Sequence, residues 1–202
     1  MTRIYLDNAA SSPMDPEVFE QMKPYLLEHH GNPSSTHAHG RVLRAAIEEA
    51  RRTIAQCLGA KPGEIYFTSG GTEADNAAIT GAVEGYALTH IITTRIEHHA
   101  VTHTAEHLAQ ERGLKLTWLP VDATGACELE ALEAALKEGP RALVALMHGN
   151  NELGTLHDLQ AIGEICEAHD ALFMSDTVQT MGHFPFRLNE LPLHFATASA
   201  HK

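Results

Sequence analysis

ALVALMHGNNELGTLHDLQAIGEICEAHDALFMSD, residues 142–176, passes from one apolar stretch through an amphipathic one to a second apolar stretch. Residues 142–147 carry no charge and suit a buried strand. Residues 159–169 place Ile162, Ile165 and Cys166 on one helical face. Residues 172–174 form a second strand, and Asp176 follows it. Strand, helix, strand in this order is the unit from which parallel sheets are built.

The same alternation continues on both sides. Upstream, strands are expected at residues 65–68, 91–94 and 114–119, with helices at 72–86, 99–112 and 129–138. Downstream, residues 195–198 read as a further strand. The expected fold is α/β, a mainly parallel sheet with helices on both faces. Ahead of it come an extended start at 4–6, a turn-rich stretch at 8–15 and a helix at 16–29. An irregular loop, Gly31-Asn32-Pro33-Ser34-Ser35-Thr36, leads into a long helix at 38–58. Val42, Leu43, Ala46, Ile47, Ala50 and Ile54 mark the apolar face of that helix.

At 202 residues the chain is long enough for a substantial core. Its 44% hydrophobic and 20% charged residues are ordinary for a globular protein. A formal charge of −12 argues against a nucleic-acid partner and gives no reason to invoke an anionic membrane. No run of 18 apolar residues is present, and the first residues lack the apolar stretch of a signal peptide. The expected location is the cytoplasm. Cys57, Cys127 and Cys166 show no paired spacing, which fits packing thiols in a reducing compartment.

In sheets of this kind, ligands bind beyond the carboxyl ends of the strands. Several chemically useful residues fall there. Gly70-Gly71-Thr72-Glu73 opens a helix, where free N–H groups and the positive dipole end suit a phosphate. The same turn also reads as an ordinary capped helix start. Asp176 offers a carboxylate for a pyridine nitrogen, or a loop cap. Gln179, three residues on, offers a donor for a phenolic oxygen, or a loop hydrogen bond. Ser199, His201 and Lys202 cluster after the last strand, with an amine for a Schiff base and two donors for a phosphate. The bland alternative is a surface loop with a solvated lysine. His98 can stack on a ring and exchange protons near neutral pH, or simply begin a helix. Asn151 offers a hydrogen bond to a cofactor oxygen, or a turn residue. Amine, carboxylate and anion site together are the equipment for pyridoxal 5′-phosphate (PLP). His99, His103 and His107 recur at i, i+4, i+8, but no carboxylate or cysteine completes a metal set, and no metal is expected.

The chain resembles the cysteine desulfurases of the NifS/IscS group, within the class V aminotransferase-like PLP enzymes. The matching segments are Tyr5-Leu6-Asp7-Asn8-Ala9-Ala10, Gly31-Asn32-Pro33-Ser34-Ser35 and Phe67-Thr68-Ser69-Gly70-Gly71-Thr72-Glu73. Further on they are Glu97-His98, Met147-His148-Gly149-Asn150-Asn151-Glu152-Leu153-Gly154, Asp176-Thr177-Val178-Gln179 and Ser199-Ala200-His201-Lys202. They occur in family order along essentially the whole chain. Gly71 and Gly149 depart mildly, standing where relatives often carry Ala and Val.

The resemblance implies the large domain of a fold-type I PLP-dependent transferase, truncated after the Schiff-base lysine. Residues 1–15 would be an N-terminal extended segment and 16–202 an incomplete PLP-binding domain. The rest of that domain and a C-terminal small domain would follow. It implies Lys202 as the lysine bonded to PLP, Asp176 at the pyridine nitrogen and His98 stacked on the ring. Asn151 and Gln179 would hold the phenolic side, and Gly71, Thr72, Ser199 and His201 the phosphate. The implied reaction converts L-cysteine to L-alanine and passes sulfur to an enzyme cysteine as persulfide. That sulfur would serve iron–sulfur cluster or thio-cofactor assembly, in a homodimer with a sulfur-acceptor or scaffold partner. The family's nucleophilic cysteine and substrate-binding arginine lie past the Schiff-base lysine, so the 202-residue chain alone is expected to be inactive. Two alternatives remain: a selenocysteine lyase or other class V enzyme, and a non-catalytic scaffold with a degenerate site.

Overall fold

In the computed structural model, which describes residues 3–185 and 187–202, the described chain divides into two units. The first holds the described residues up to Phe67, with Arg187–Asn189 and His201. The second holds those from Thr68 to Pro185, with Glu190–Ala200 and Lys202.

In the first unit, α1 spans Pro16–Leu27 and α2 spans Ala38–Leu58. Asp15 caps α1, its Oδ1 accepting from Glu17 N–H at 2.7 Å. Gly59 closes α2 in the left-handed conformation, φ 70°, as glycine does at helix ends. The loop at 31–36 folds tightly against the start of α2. A Cβ on Gly40 would stand 2.5 Å from the carbonyl oxygens of Asn32 and Ser35, so only glycine fits there.

In the second unit the helices are α3 Gly71–Gly85, α4 His99–Arg112, α5 Leu129–Lys137 and α6 Leu159–Ala168. The strands are β1 His90–Thr94, β2 Lys115–Leu119, β3 Ala142–Ala145, β4 Leu172–Asp176 and β5 Phe195–Thr197. These five strands pair in parallel, in the order β2-β1-β3-β4-β5. β1, β3 and β4 are buried throughout, as expected of strands covered on both faces.

The register explains the two cores. Ile91, Leu143 and Leu172 are neighbours across three strands and face α3 and α4, among Ile79, Val83, Val101 and Leu108. Ile92, Val144 and Phe173, one residue on, form the next row. That row faces α5 and α6, among Leu132, Leu136, Ile162 and Cys166. The α/β expectation therefore holds, and it holds because apolar residues occupy consecutive positions on the central strands. No described helix is long and apolar enough to cross a membrane.

The strand expected at residues 65–68 does not form. A strand needs a neighbour for its backbone groups, and among the described residues this segment has no ladder partner. Tyr66 is 81% exposed. Arg51 instead donates to the Ile65 carbonyl and lies over the Phe67 ring, 4.9 Å from its centroid.

Asp158 starts α6 by accepting from Gln160 N–H at 3.0 Å and Ala161 N–H at 3.1 Å. Asp158→Ala is expected to lower stability by about 1 kcal/mol, measured by urea unfolding. No shift in the midpoint would mean that water replaces this cap without loss.

Candidate active site

Every parallel strand ends at the same edge of the sheet, so the residues just past the strands of the second unit collect there. Asp176 is the last residue of β4 and is buried. Its Oδ1 accepts from Val178 N–H at 2.9 Å. Burial raises its pKa, while the Val178 N–H, His98 and Lys202 pull it down. His98 and Lys202 thus lie within electrostatic reach of one buried carboxylate, although they are 104 positions apart in the numbering (202 − 98).

His98 is the N-cap of α4, and its Nδ1 accepts from Ala100 N–H at 3.2 Å. A neutral ring making that bond carries its proton on Nε2. His98 is itself exposed, and Lys202 is half-buried.

Gly71 is the first residue of α3 and Gly70 gives it no side-chain cap. The Ala74 N–H bonds back to Gly70 O, so the amides of Gly71, Thr72 and Glu73 precede the first intrahelical bond. Glu73 folds outward to accept from Ser69 N–H at 2.6 Å. A Cβ on Gly71 would lie 3.1 Å from Val178 Cγ2 and 3.6 Å from Ser199 Cβ. Ser199 and the turn after β4 therefore wall the start of α3. Gln179 is half-buried in that same turn, which Thr180 N–H closes onto Thr177 O at 2.9 Å. Gly149 also borders it: a Cβ there would stand 2.7 Å from Thr180 Cγ2.

Asn151 is exposed in the turn after β3, and its neighbour Asn150 is the buried one. His201 belongs to the first unit, where its carbonyl accepts from Ser12 N–H at 3.2 Å and Ser12 Oγ at 3.1 Å. His99 and His103 stack 4.9 Å apart on α4. Burial pushes the thiols of Cys127 and Cys166 up to about 12, so both stay protonated.

Sequence reasoning missed two buried acids. Asp75 lies on α3 in the same stripe as Ile79, Ala82 and Val83. Its Oδ1 accepts from Thr197 Oγ1 at 2.6 Å. Burial, then the Asp176 charge, pushes it up to about 7 despite the threonine. An acid inside an apolar helical stripe was the available signal. Glu97 is 6% exposed and accepts from Thr94 Oγ1 at 2.8 Å and Met147 N–H at 2.7 Å. Burial raises it to about 8, with Asp176 and Asp75 adding to the rise against the two hydrogen bonds. Glu97 lies in a polar loop, and nothing in its spacing marks it as buried.

Residues 4–202 match the family model described as aminotransferase class-V. The chain is 46% identical over 203 residues to the cysteine desulfurase IscS of Dictyoglomus turgidum, covering 98% of this chain and 50% of that protein. It thus spans about half the length of the curated relatives it matches. Among solved structures, a NifS-like protein superposes with a TM-score of 0.93 at 38% identity, over 99% of this chain and 55% of that one. SspA in complex with cysteine superposes with a TM-score of 0.91 at 34% identity, over 98% and 57%. The family model spans nearly the whole chain, and the chain belongs to the class V aminotransferase family.

Proposed function

We propose that this chain carries the cofactor-holding part of a PLP-dependent cysteine desulfurase that converts L-cysteine to L-alanine. The sulfur would pass to an enzyme cysteine as persulfide, for iron–sulfur cluster or thio-cofactor synthesis. The observation that carries this reading is a buried carboxylate, Asp176, at a strand end within electrostatic reach of both Lys202 and His98.

The residues fit the cofactor. Asp176 is raised by burial and relieved by cations, so a positive partner such as a pyridinium nitrogen would stabilise its charged form. Gly71 leaves the start of α3 open for an anion, between Ser199 and Val178. PLP, when bound, supplies an electron sink that stabilises a carbanion at the substrate α-carbon.

The chain's own residues then divide the remaining work. The amides of Gly71 and Thr72 and the hydroxyls of Thr72 and Ser199 would bind the phosphate. Asp176 would hold a proton on the ring nitrogen. Lys202 Nζ would be the covalent attachment point, and its amine would take and return a proton during turnover. His98 Nε2–H would be the donor on one face of the ring. Asn151 and Gln179 would orient the phenolic side. His201 has its phosphate role from the resemblance alone.

Cysteine as substrate is supported by the names of the relatives and by SspA, solved in complex with cysteine. A homodimer, a cytoplasmic location, and a sulfur-acceptor or scaffold protein as partner belong to the same reading and rest on the resemblance. So does the assignment of residues 16–202 to an incomplete PLP-binding domain preceded by an extended segment. The direct assay is stoichiometric release of alanine and sulfide from L-cysteine, in the presence of a thiol, by the full-length protein. Alanine without sulfide, or neither, would overturn the proposal. By the resemblance, none of Cys57, Cys127 and Cys166 is the sulfur-accepting cysteine, so the 202-residue chain by itself is expected to be inactive in that assay. Sulfide release by the isolated chain would contradict this.

A further inference from the structure

Two loops of the second unit hold each other in place through reciprocal polar side chains. Glu97, in the loop between β1 and α4, reaches across to Met147 N–H just past β3, and also accepts from Thr94 Oγ1 on its own side. Asn150, in the loop past β3, reaches back. Its Nδ2 donates to Ile96 O at 2.8 Å, while its Oδ1 accepts from Glu152 N–H and Leu153 N–H, both at 2.8 Å. Both side chains are buried. His98 follows Glu97 directly, and Asn151 follows Asn150 directly.

We propose that Glu97 and Asn150 form a two-way staple that sets the position of His98 against Asn151, making them positioning residues for the cofactor ring. The inference rests on the reading of His98 and Asn151 given above. Glu97 and Asn150 are buried, so each would act through its exposed neighbour. The Glu97 bonds are buried and those of Asn150 partly so, and their loss would leave polar backbone groups unpaired and free both loops. A misplacement of about 1 Å in a site of this kind can cost up to about 100-fold in rate.

The test uses the full-length protein and a double-mutant cycle. Glu97→Ala is expected to lower kcat/KM by roughly 10- to 100-fold and to weaken the circular dichroism induced in bound PLP. In a His98→Ala background the same change is expected to cost measurably less, because the route through His98 is gone and only the one through Asn151 remains. Glu97→Gln should recover most of the loss, its Nε2 donating to Thr94 and its Oε1 accepting from Met147. Without cofactor, hydrogen exchange at residues 95–98 and 147–153 should quicken together in both Glu97→Ala and Asn150→Ala. Equal losses from Glu97→Ala with and without His98 would overturn the proposal, as would exchange that quickens in one loop only. If the wild-type protein binds no PLP, the desulfurase reading fails, while the exchange data still judge the staple.

Discussion

Asp176→Asn is expected to cut turnover by on the order of 10²- to 10⁴-fold while leaving the cofactor-free chain at least as stable as the wild type. The two halves have one cause. Asparagine keeps the shape of aspartate and can still accept from Val178 N–H, so the turn after β4 stays closed. What is lost is a negative charge in a buried place. In the folded chain that charge is costly, because burial raises the Asp176 pKa and Asp75 and Glu97 stand near enough to feel it. Removing it relieves the fold and, on the proposed reading, would deprive the pyridine nitrogen of its partner. The expected spectrum keeps a band from PLP on Lys202, with slowed chemistry beneath it. Unchanged turnover, or a fall in stability of several kcal/mol, would contradict this account of Asp176.

The second large effect is a pH dependence of stability. Glu97 has an ordinary pKa of 4.5 when unfolded and about 8 when folded. Between those values the folded chain binds the extra proton. Stability is therefore highest at the acidic end of the window and falls as the pH rises toward 8. Asp75, raised from 3.8 to about 7, acts in the same direction. Glu97→Gln removes one of these protons and should flatten the slope. The difference in unfolding free energy between wild type and variant should move against the wild type by up to about 1.4 kcal/mol per pH unit between pH 5 and 8. Urea unfolding of the cofactor-free proteins at several pH values measures it, and the other titrating groups largely cancel in the difference. A difference independent of pH would mean that Glu97 stays ionised throughout.

These groups mark the boundary of what sequence reasoning reached. The parallel sheet was legible because 142–147 and 172–174 are apolar runs bracketing an amphipathic one. Helices α2 and α4 begin and end at the residues expected, since Gly59 and Gly113 punctuate their ends. The gathering of His98, Asp176 and Lys202 at one edge followed from parallel topology alone. The segment 65–68 misled because an apolar run satisfies a strand pattern without supplying the neighbour a strand requires. Asp75 and Glu97 escaped for a different reason: whether an acid is buried depends on what packs against it. Asn150 and Asn151 are identical in type and adjacent, so only the structure shows that the first turns inward.

On the proposed reading, Lys202 carries PLP beside Asp176. This is tested most directly by the absorption spectrum of the full-length protein before and after borohydride, followed by mass mapping of the Lys202 peptide. A band near the visible edge that reduction removes, and a reduced cofactor fixed on Lys202, are expected. A protein that stays colourless after incubation with PLP, or a cofactor fixed on another lysine, would contradict it.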